Sequence, residues 1–103
     1  KVAKPGEIKE GSAKILTVIK DTKVEAFDIN ILKINKSSNT KNILFEITDE
    51  DLLKKTGGIV QGMSGSPIIQ NENIVGAVNF VLVDDTSKGY GIFITNMLEE
   101  AEN

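Results

Sequence analysis

The sequence predicts an all-β fold of six strands, and three observations lead to this class. Apolar and polar residues alternate along six segments, as expected for strands that bury one face. These segments are rich in the β-branched residues Ile, Val and Thr, which favour strands. Short polar connections separate them. A chain of 103 residues has the usual size of one domain with a buried core, so we expect a single domain over residues 1–103.

The first two strands are predicted to form a hairpin. The first covers Ala13–Ile19, and the polar segment 20–23 is typical of a turn because Asp21 favours turn starts. The second covers Val24–Ile34, and its apolar residues change face near Ile31. This change predicts a β-bulge or bend near Ile31.

The middle of the chain carries one strand and one short helix. A polar loop over 35–42 leads to the third strand, Ile43–Ile47. Thr48 can cap a short helix over 49–55, which has acidic residues in its first turn and lysines in its last, as the helix dipole prefers. The glycines that follow end this helix.

The last third of the chain supplies three strands and a closing helix. Ile68–Ile69 and Ile74–Leu82 are predicted strands joined by a tight polar turn over 71–73. The sixth strand is predicted at Tyr90–Thr95, and residues 96–101 are predicted to form a C-terminal helix.

The composition excludes several classes of function. The chain has no His and no Cys, so its own residues cannot form a Cys/His zinc site, a Cys–His nucleophile pair or a complete Ser-His-Asp triad. Its net charge of -3 argues against a nucleic-acid partner, which usually needs a basic patch. Every apolar run is far shorter than the roughly 20 residues of a membrane span. The chain begins with Lys1 rather than Met, and we expect it to be a piece of a longer protein.

Residues 57–67 form a glycine-rich segment that contains Ser64. Such a segment can turn backbone N–H groups inward, as an oxyanion hole requires. The alternative is a tight connection in which glycine only supplies positive φ. The residues do not fit a phosphate-binding loop, a dinucleotide fingerprint or the Gly-x-Ser-x-Gly nucleophile elbow.

The pattern Gly-x-Ser-Gly-x-Pro at Gly62–Pro67 resembles the active-serine loop of chymotrypsin-like serine peptidases. The longer string Thr56–Pro67, followed by Ile74–Val78, is similar to the stage IV sporulation protein B peptidases of endospore-forming bacteria. Lys4–Gly11 and Lys88–Ile94 extend the resemblance over essentially the whole chain. It implies a six-stranded antiparallel chymotrypsin-like β-barrel with a short helix and a C-terminal helix. This barrel would be the second, C-terminal and nucleophile-bearing barrel of a two-barrel peptidase.

The resemblance also implies catalytic roles. Ser64 would be the nucleophile, and the N–H groups of Gly62 and Ser64 would form the oxyanion hole. Asp49 is the candidate acid that orients a catalytic His, although a helix N-terminal acid stabilised by the dipole also explains it. The His itself would lie upstream, outside this chain. Ser66 is a weaker candidate, since a strand-start hydroxyl explains it better.

A substrate-binding strand is implied at Asn79, Phe80 and Val81, which match the strand that pairs with substrate in chymotrypsin-like enzymes. The resemblance therefore implies that these three residues face the substrate. A core position is an equally good interpretation of Phe80 and Val81. The resemblance implies no cofactor and no metal.

The function implied by the resemblance is that of a sporulation regulatory serine endopeptidase. Such an enzyme is exported across the inner forespore membrane into the intermembrane space. There it cleaves itself and a membrane-bound regulator of an intramembrane protease. This chain alone would be soluble and inactive, because the catalytic His belongs to its expected partner, the upstream barrel. A face left open by that barrel would allow homo-oligomers.

Two alternatives stay open. The chain can be a non-catalytic β-barrel binding domain in which Ser64 is a turn residue. A Ser–Lys dyad with Lys54, Lys55 or Lys88 would make the chain self-sufficient. Such a lysine must be buried, whereas these three lie beside polar or glycine residues.

Overall fold

The computed structural model of the protein describes residues 7–20, 23–38, 40–50, 65–82, 85 and 87–96. Six β-strands lie in these ranges: β1 Gly11–Lys20, β2 Lys23–Ile34, β3 Ile43–Ile47, β4 Pro67–Gln70, β5 Asn73–Val81 and β6 Lys88–Phe93. Neighbouring strands are antiparallel and close into a barrel in the order β1-β2-β3-β6-β5-β4. The predicted six-stranded antiparallel barrel is confirmed. Glu50 and residues 94–96 are helical, whereas Asp49, the first residue of the predicted helix 49–55, is not. Residues 51–55 and 97–101 of the two predicted helices lie outside the described residues.

β2 contains the bulge that its sequence predicts. Its register with β3 shifts between Ile31 and Lys33. Ile29 and Ile31 are buried before the shift, and Ile34 lies opposite Ile43 after it, where it packs against the core. The bulge lets both halves of a long strand contribute to one core.

β6 begins and ends two residues earlier than its sequence suggests, at Lys88 and Phe93. The prediction that it continues to Thr95 is wrong, because the strand ends at Phe93 and residues 94–96 are helical. β3 begins opposite Gly91, and the Phe93 N–H donates to the side-chain Oδ1 of Asn42 (3.0 Å). A side chain thus takes the place of the next ladder partner, and the strand ends there.

The inward faces of the strands form one hydrophobic core. Each of the six strands contributes at least one buried apolar side chain, and the largest of these are Phe27, Phe45 and Phe93. Ile8, which precedes β1, joins the same cluster. Burial of one such side chain contributes about 1.5–3 kcal/mol. The core is therefore a stable support for the loops that leave the barrel.

Because the strands alternate in direction, successive connections lie at alternate ends of the barrel. β1, β3 and β5 run one way, and β2, β4 and β6 run the other. The β1–β2, β3–β4 and β5–β6 connections therefore leave from one end, called here the upper end. Residues 48–50 and 65–66, which flank the β3–β4 connection, both lie there. Asp49 thus lies at the same end as the start of β4.

The strands are also staggered, as closure of a barrel requires. Ile43 at the start of β3 lies opposite Gly91 in β6, and Gly91 lies opposite Val78 near the end of β5. The loop over 35–42 leads into β3. The stagger therefore brings this loop beside the last residues of β5.

Candidate functional site

Two main-chain hydrogen bonds fix the segment that follows the predicted nucleophile. Ser64 and Gly62 lie outside the described residues, and the description resumes at Gly65. The Gly65 N–H donates to the Val78 carbonyl oxygen (2.7 Å), and the Val78 N–H donates to the Ser66 carbonyl oxygen (2.9 Å). Gly65 has a φ of 90°, a conformation that favours glycine. The residues after Ser64 are therefore joined directly to β5.

A pair of hydroxyl groups ties the same segment to β1. Ser66 Oγ donates to Thr17 Oγ1 (3.0 Å), and Thr17 is buried. This bond gives Ser66 a structural role at the start of β4. It supports the interpretation of Ser66 as a strand-start hydroxyl. The sequence offers no local signal for Thr17, because its partner is 49 positions away.

Asp49 is anchored to β2 by its backbone and by its side chain. The N–H groups of Thr48 and Asp49 both donate to the Asp28 carbonyl oxygen, at 3.1 Å each. The Asp28 N–H in turn donates to Asp49 Oδ2 (3.3 Å). Asp49 is half-buried, whereas the exposed Asp28 carboxylate forms an ion pair with Lys14 (3.0 Å). The Asp49 carboxylate is therefore held at the upper end, on the connection that leads to Ser64.

Residues 79–81, predicted to face the substrate, lie where β5 extends past β4. The pairing of β4 with β5 stops at Ala77, and the two bonds at Val78 continue it by one residue. β6 remains paired with the other edge of this segment. Within the described part of the chain, the β4-side edge of residues 79–81 is thus open.

The side chains of this segment have different surroundings. Phe80 is 40% exposed, so the interpretation of Phe80 as a core residue is wrong. The β5–β6 register shifts between Val78 and Phe80, and the side-chain Nδ2 of Asn79 donates to the Thr40 carbonyl oxygen (3.4 Å). The side chain of Val81 lies outside what the structure describes. Phe80 therefore presents an aromatic surface next to the open edge.

Lys41 is a residue of this face that sequence reasoning missed. Its Nζ lies 5.2 Å from the ring centre of Phe80 and 5.7 Å from that of Tyr90. Phe80 and Tyr90 are paired across β5 and β6. Lys41 belongs to the 35–42 loop, and only the strand order and stagger bring it to these rings. No local sequence pattern could have indicated this position.

Asn42 holds the same loop in place. Its side chain is fully buried and makes four hydrogen bonds. Nδ2 donates to the carbonyl oxygens of Asn35 (2.9 Å) and Ser38 (2.6 Å). Oδ1 accepts the Phe93 N–H (3.0 Å) and the Nδ2 of Asn96 (3.1 Å). Asn42 thus connects the loop that carries Lys41 to the end of β6.

Asn42→Ala should lower the free energy of unfolding by about 3 kcal/mol, because it removes four hydrogen bonds of a fully buried side chain and leaves the buried Phe93 N–H without this partner. Chemical unfolding of the protein measures this loss. Asn35→Ala is a matched control, since Asn35 is exposed and its Oδ1 accepts only the Ser37 N–H (3.0 Å) among the bonds of the described residues. The control should lose less than about 1 kcal/mol. Equal losses in the two variants would contradict the central role of Asn42.

Lys88 does not have the surroundings that a Ser–Lys dyad needs. Its Nζ lies 3.7 Å from Asp85 Oδ2, and 37% of its side chain is exposed. The N–H and hydroxyl of Ser87 both donate to Asp85, and these bonds lower the pKa of that carboxyl. Lys88 is thus the partner of a surface carboxylate. Lys54 and Lys55 lie outside the described residues.

The chain was compared with curated proteins, with solved structures and with models of protein families. No curated protein and no solved structure gives a significant match. Within the described residues, no helix is both long and apolar enough to cross a membrane. A family model described as SpoIVB peptidase S55 matches residues 1–98. This match confirms the resemblance carried by the Ser64 motif, and the chain therefore belongs to the SpoIVB family of serine peptidases, S55.

Proposed function

We propose that this chain is the nucleophile-bearing barrel of a sporulation serine endopeptidase, with Ser64 as the nucleophile. The observation that carries the proposal is the hydrogen bond from the Gly65 N–H to the Val78 carbonyl oxygen. It joins the residue after Ser64 to the residue before Asn79. A nucleophile and a peptide-binding strand must lie side by side if the enzyme is to attack a bound peptide. This bond supports such an arrangement.

Among the described residues, no strand pairs with the β4-side edge of residues 79–81, and this edge would give the substrate a place to bind. The main-chain groups of that edge can pair with an extended peptide, which then adds one strand to the sheet. Such a peptide would pass the start of β4, where the segment that follows Ser64 is fixed. Its side chains would contact the exposed ring of Phe80.

In the proposed reaction, Ser64 Oγ attacks the carbonyl carbon of the scissile bond while its proton passes to a His. The chain has no His, so the upstream barrel would supply this base. The N–H groups of Gly62 and Ser64 would stabilise the negative oxygen, at about 3 kcal/mol for each donor. The protonated His then gives its proton to the leaving amine, and water hydrolyses the acyl-enzyme ester.

Asp49 is proposed to orient that His and to stabilise its protonated form. Two features support this role. The carboxylate lies at the upper end of the barrel, and the Asp28 N–H holds one of its oxygens. A carboxylate that is already fixed by a backbone bond can receive the His without further ordering.

The biological role is proposed from the family alone. The substrate would be a membrane-bound regulator of an intramembrane protease, and the enzyme would also cleave itself. It would act after export across the inner forespore membrane, in the intermembrane space. The upstream barrel would be its constant partner, and copies of the isolated chain would associate through the face that this barrel covers.

A fluorophosphonate probe tests the assignment of the nucleophile. It should label Ser64 in the whole protein and leave the 103-residue chain unlabelled, because a serine hydroxyl without its base reacts slowly. Mass spectrometry of peptides locates the label. In the whole protein, Ser64→Ala should abolish labelling and the matched control Ser66→Ala should retain it.

Two results would contradict the proposal. Labelling of the isolated chain at the rate of the whole protein would remove the need for an upstream His and would favour a Ser–Lys dyad. Failure of the whole protein to react would favour the non-catalytic β-barrel binding domain.

A further inference from the structure

Lys41 places a positive charge on the outer face of the barrel, next to the open edge of β5. Its Nζ lies 5.2 Å from the centre of the Phe80 ring and 5.7 Å from that of Tyr90. Aromatic rings attract a cation through their negatively charged faces. One ring comes from β5 and the other from β6, so the ammonium group is held where these two strands meet.

The residues on both sides of Lys41 are anchored. The Thr40 carbonyl oxygen accepts a hydrogen bond from the Asn79 side chain (3.4 Å). Asn42 is fully buried and hydrogen-bonded. The backbone at Lys41 is therefore fixed relative to the end of β5. A lysine positioned in this way loses less conformational entropy on binding a ligand than one on an unanchored loop.

The charge of Lys41 has no counter-ion in the part of the chain that the structure describes. The ion pairs there join Lys14 to Asp28 and Lys88 to Asp85. Lys41 is also exposed. Its ammonium group therefore keeps N–H donors for an anionic group from outside the chain.

A peptide bound along residues 79–81 would pass this charge. Side chains directly across neighbouring strands are about 5 Å apart, and diagonal neighbours are about 7–8 Å apart. A substrate side chain on the Phe80 face would thus lie beside that ring, and a carboxylate at its end would reach Lys41 Nζ. We infer that Lys41, Phe80 and Tyr90 form a subsite that selects an acidic side chain in the substrate. The inference rests on the proposed function, because it takes residues 79–81 as the substrate strand.

Peptide binding to the whole protein tests the subsite. The protein carries Ser64→Ala, so that it binds peptides without cleaving them. The probes are two series of fluorescent extended peptides. In one series a single Glu is placed at each position in turn, and in the matched series a Gln takes its place. At one position the Glu peptide should bind about tenfold more tightly than its Gln partner. This preference should fall as the salt concentration rises.

Three further substitutions identify the group responsible. Lys41→Met should remove the preference, since Met keeps an apolar side chain on the two rings but has no charge. Lys41→Arg should keep the preference. Lys36→Met, which removes an exposed lysine of the same loop, should also leave it unchanged. Thermal unfolding should be the same for the Lys41→Met variant and its parent.

Several results would overturn the inference. These are a peptide series without any Glu preference, a preference that survives in Lys41→Met, and a preference that is lost equally in Lys36→Met. Binding does not require Ser64 to react, so this outcome is independent of catalysis. Failure of fluorophosphonate labelling rejects the proposed peptidase, whereas the absence of any Glu preference in the Ser64→Ala parent rejects the acidic subsite alone.

Discussion

In the whole protein, Asp49→Asn should lower kcat/KM by about 10,000-fold, the effect seen when the acid of a Ser-His-Asp triad becomes an amide. Asn keeps an oxygen that can accept the Asp28 N–H, so the anchoring on β2 should survive. It loses the negative charge that stabilises the imidazolium and favours the wrong His tautomer. Steady-state kinetics on a peptide substrate measure the loss. The free energy of unfolding, measured with a chemical denaturant, should change by less than about 1 kcal/mol.

Asp28→Asn is the matched control for this prediction. The Asp28 carboxylate is 60% exposed and pairs with Lys14. The backbone groups of Asp28 that hold Asp49 stay in place when its side chain changes. An exposed ion pair contributes about 0–1 kcal/mol to stability. Because the Asp28 side chain does not hold Asp49, kcat/KM should change by less than about fivefold. If Asp49→Asn is as mild as Asp28→Asn, then Asp49 is a structural acid and another group orients the His.

The strands could be predicted because their signals are local. Alternation of apolar residues located the strands, and the change of face near Ile31 located the bulge that the β2–β3 register shows. The polar turn after β4 was visible in the same way. Asn71 and Glu72 have φ values of 51° and 67°, which are the positive values that a two-residue hairpin turn requires. Such features depend on neighbours in the sequence.

The nucleophile motif could be found for a related reason, since Gly62–Pro67 is contiguous and its glycines act through the backbone. The supporting contacts could not be found. Ser66 meets Thr17 across 49 positions, and Asn79 meets Thr40 across 39. These pairs depend on strand order and stagger, which local patterns do not encode.

Lys41 and Asn42 show the same limit more sharply. In the sequence they are two polar residues at the end of a polar loop, with no feature that separates them from their neighbours. In the barrel, Lys41 is exposed and its ammonium group lies over two aromatic rings, whereas Asn42 is fully buried. Phe80 was ambiguous for the opposite reason, because an aromatic residue in a strand suits a core position and a binding face equally well.

Gly76→Ala should destabilise the barrel by about 4 kcal/mol or more, a loss large enough to unfold a marginally stable domain. Gly76 lies in β5, paired with Ile68 of β4 and Phe93 of β6. A Cβ at this position would overlap the backbone carbonyl of Ile92. Backbone atoms cannot move aside as a side chain can, so the β5–β6 pairing must open. Thermal unfolding or the yield of folded protein measures the effect.

Gly91→Ala is the matched control, because Gly91 is also buried in the β5–β6 pairing. The nearest atom to a Cβ there is Cδ1 of Ile68, the end of a flexible side chain. Repacking of that side chain should limit the loss to about 1–3 kcal/mol. If Gly76→Ala is tolerated as well as Gly91→Ala, the close approach of β5 to β6 at Ile92 is not required for the fold.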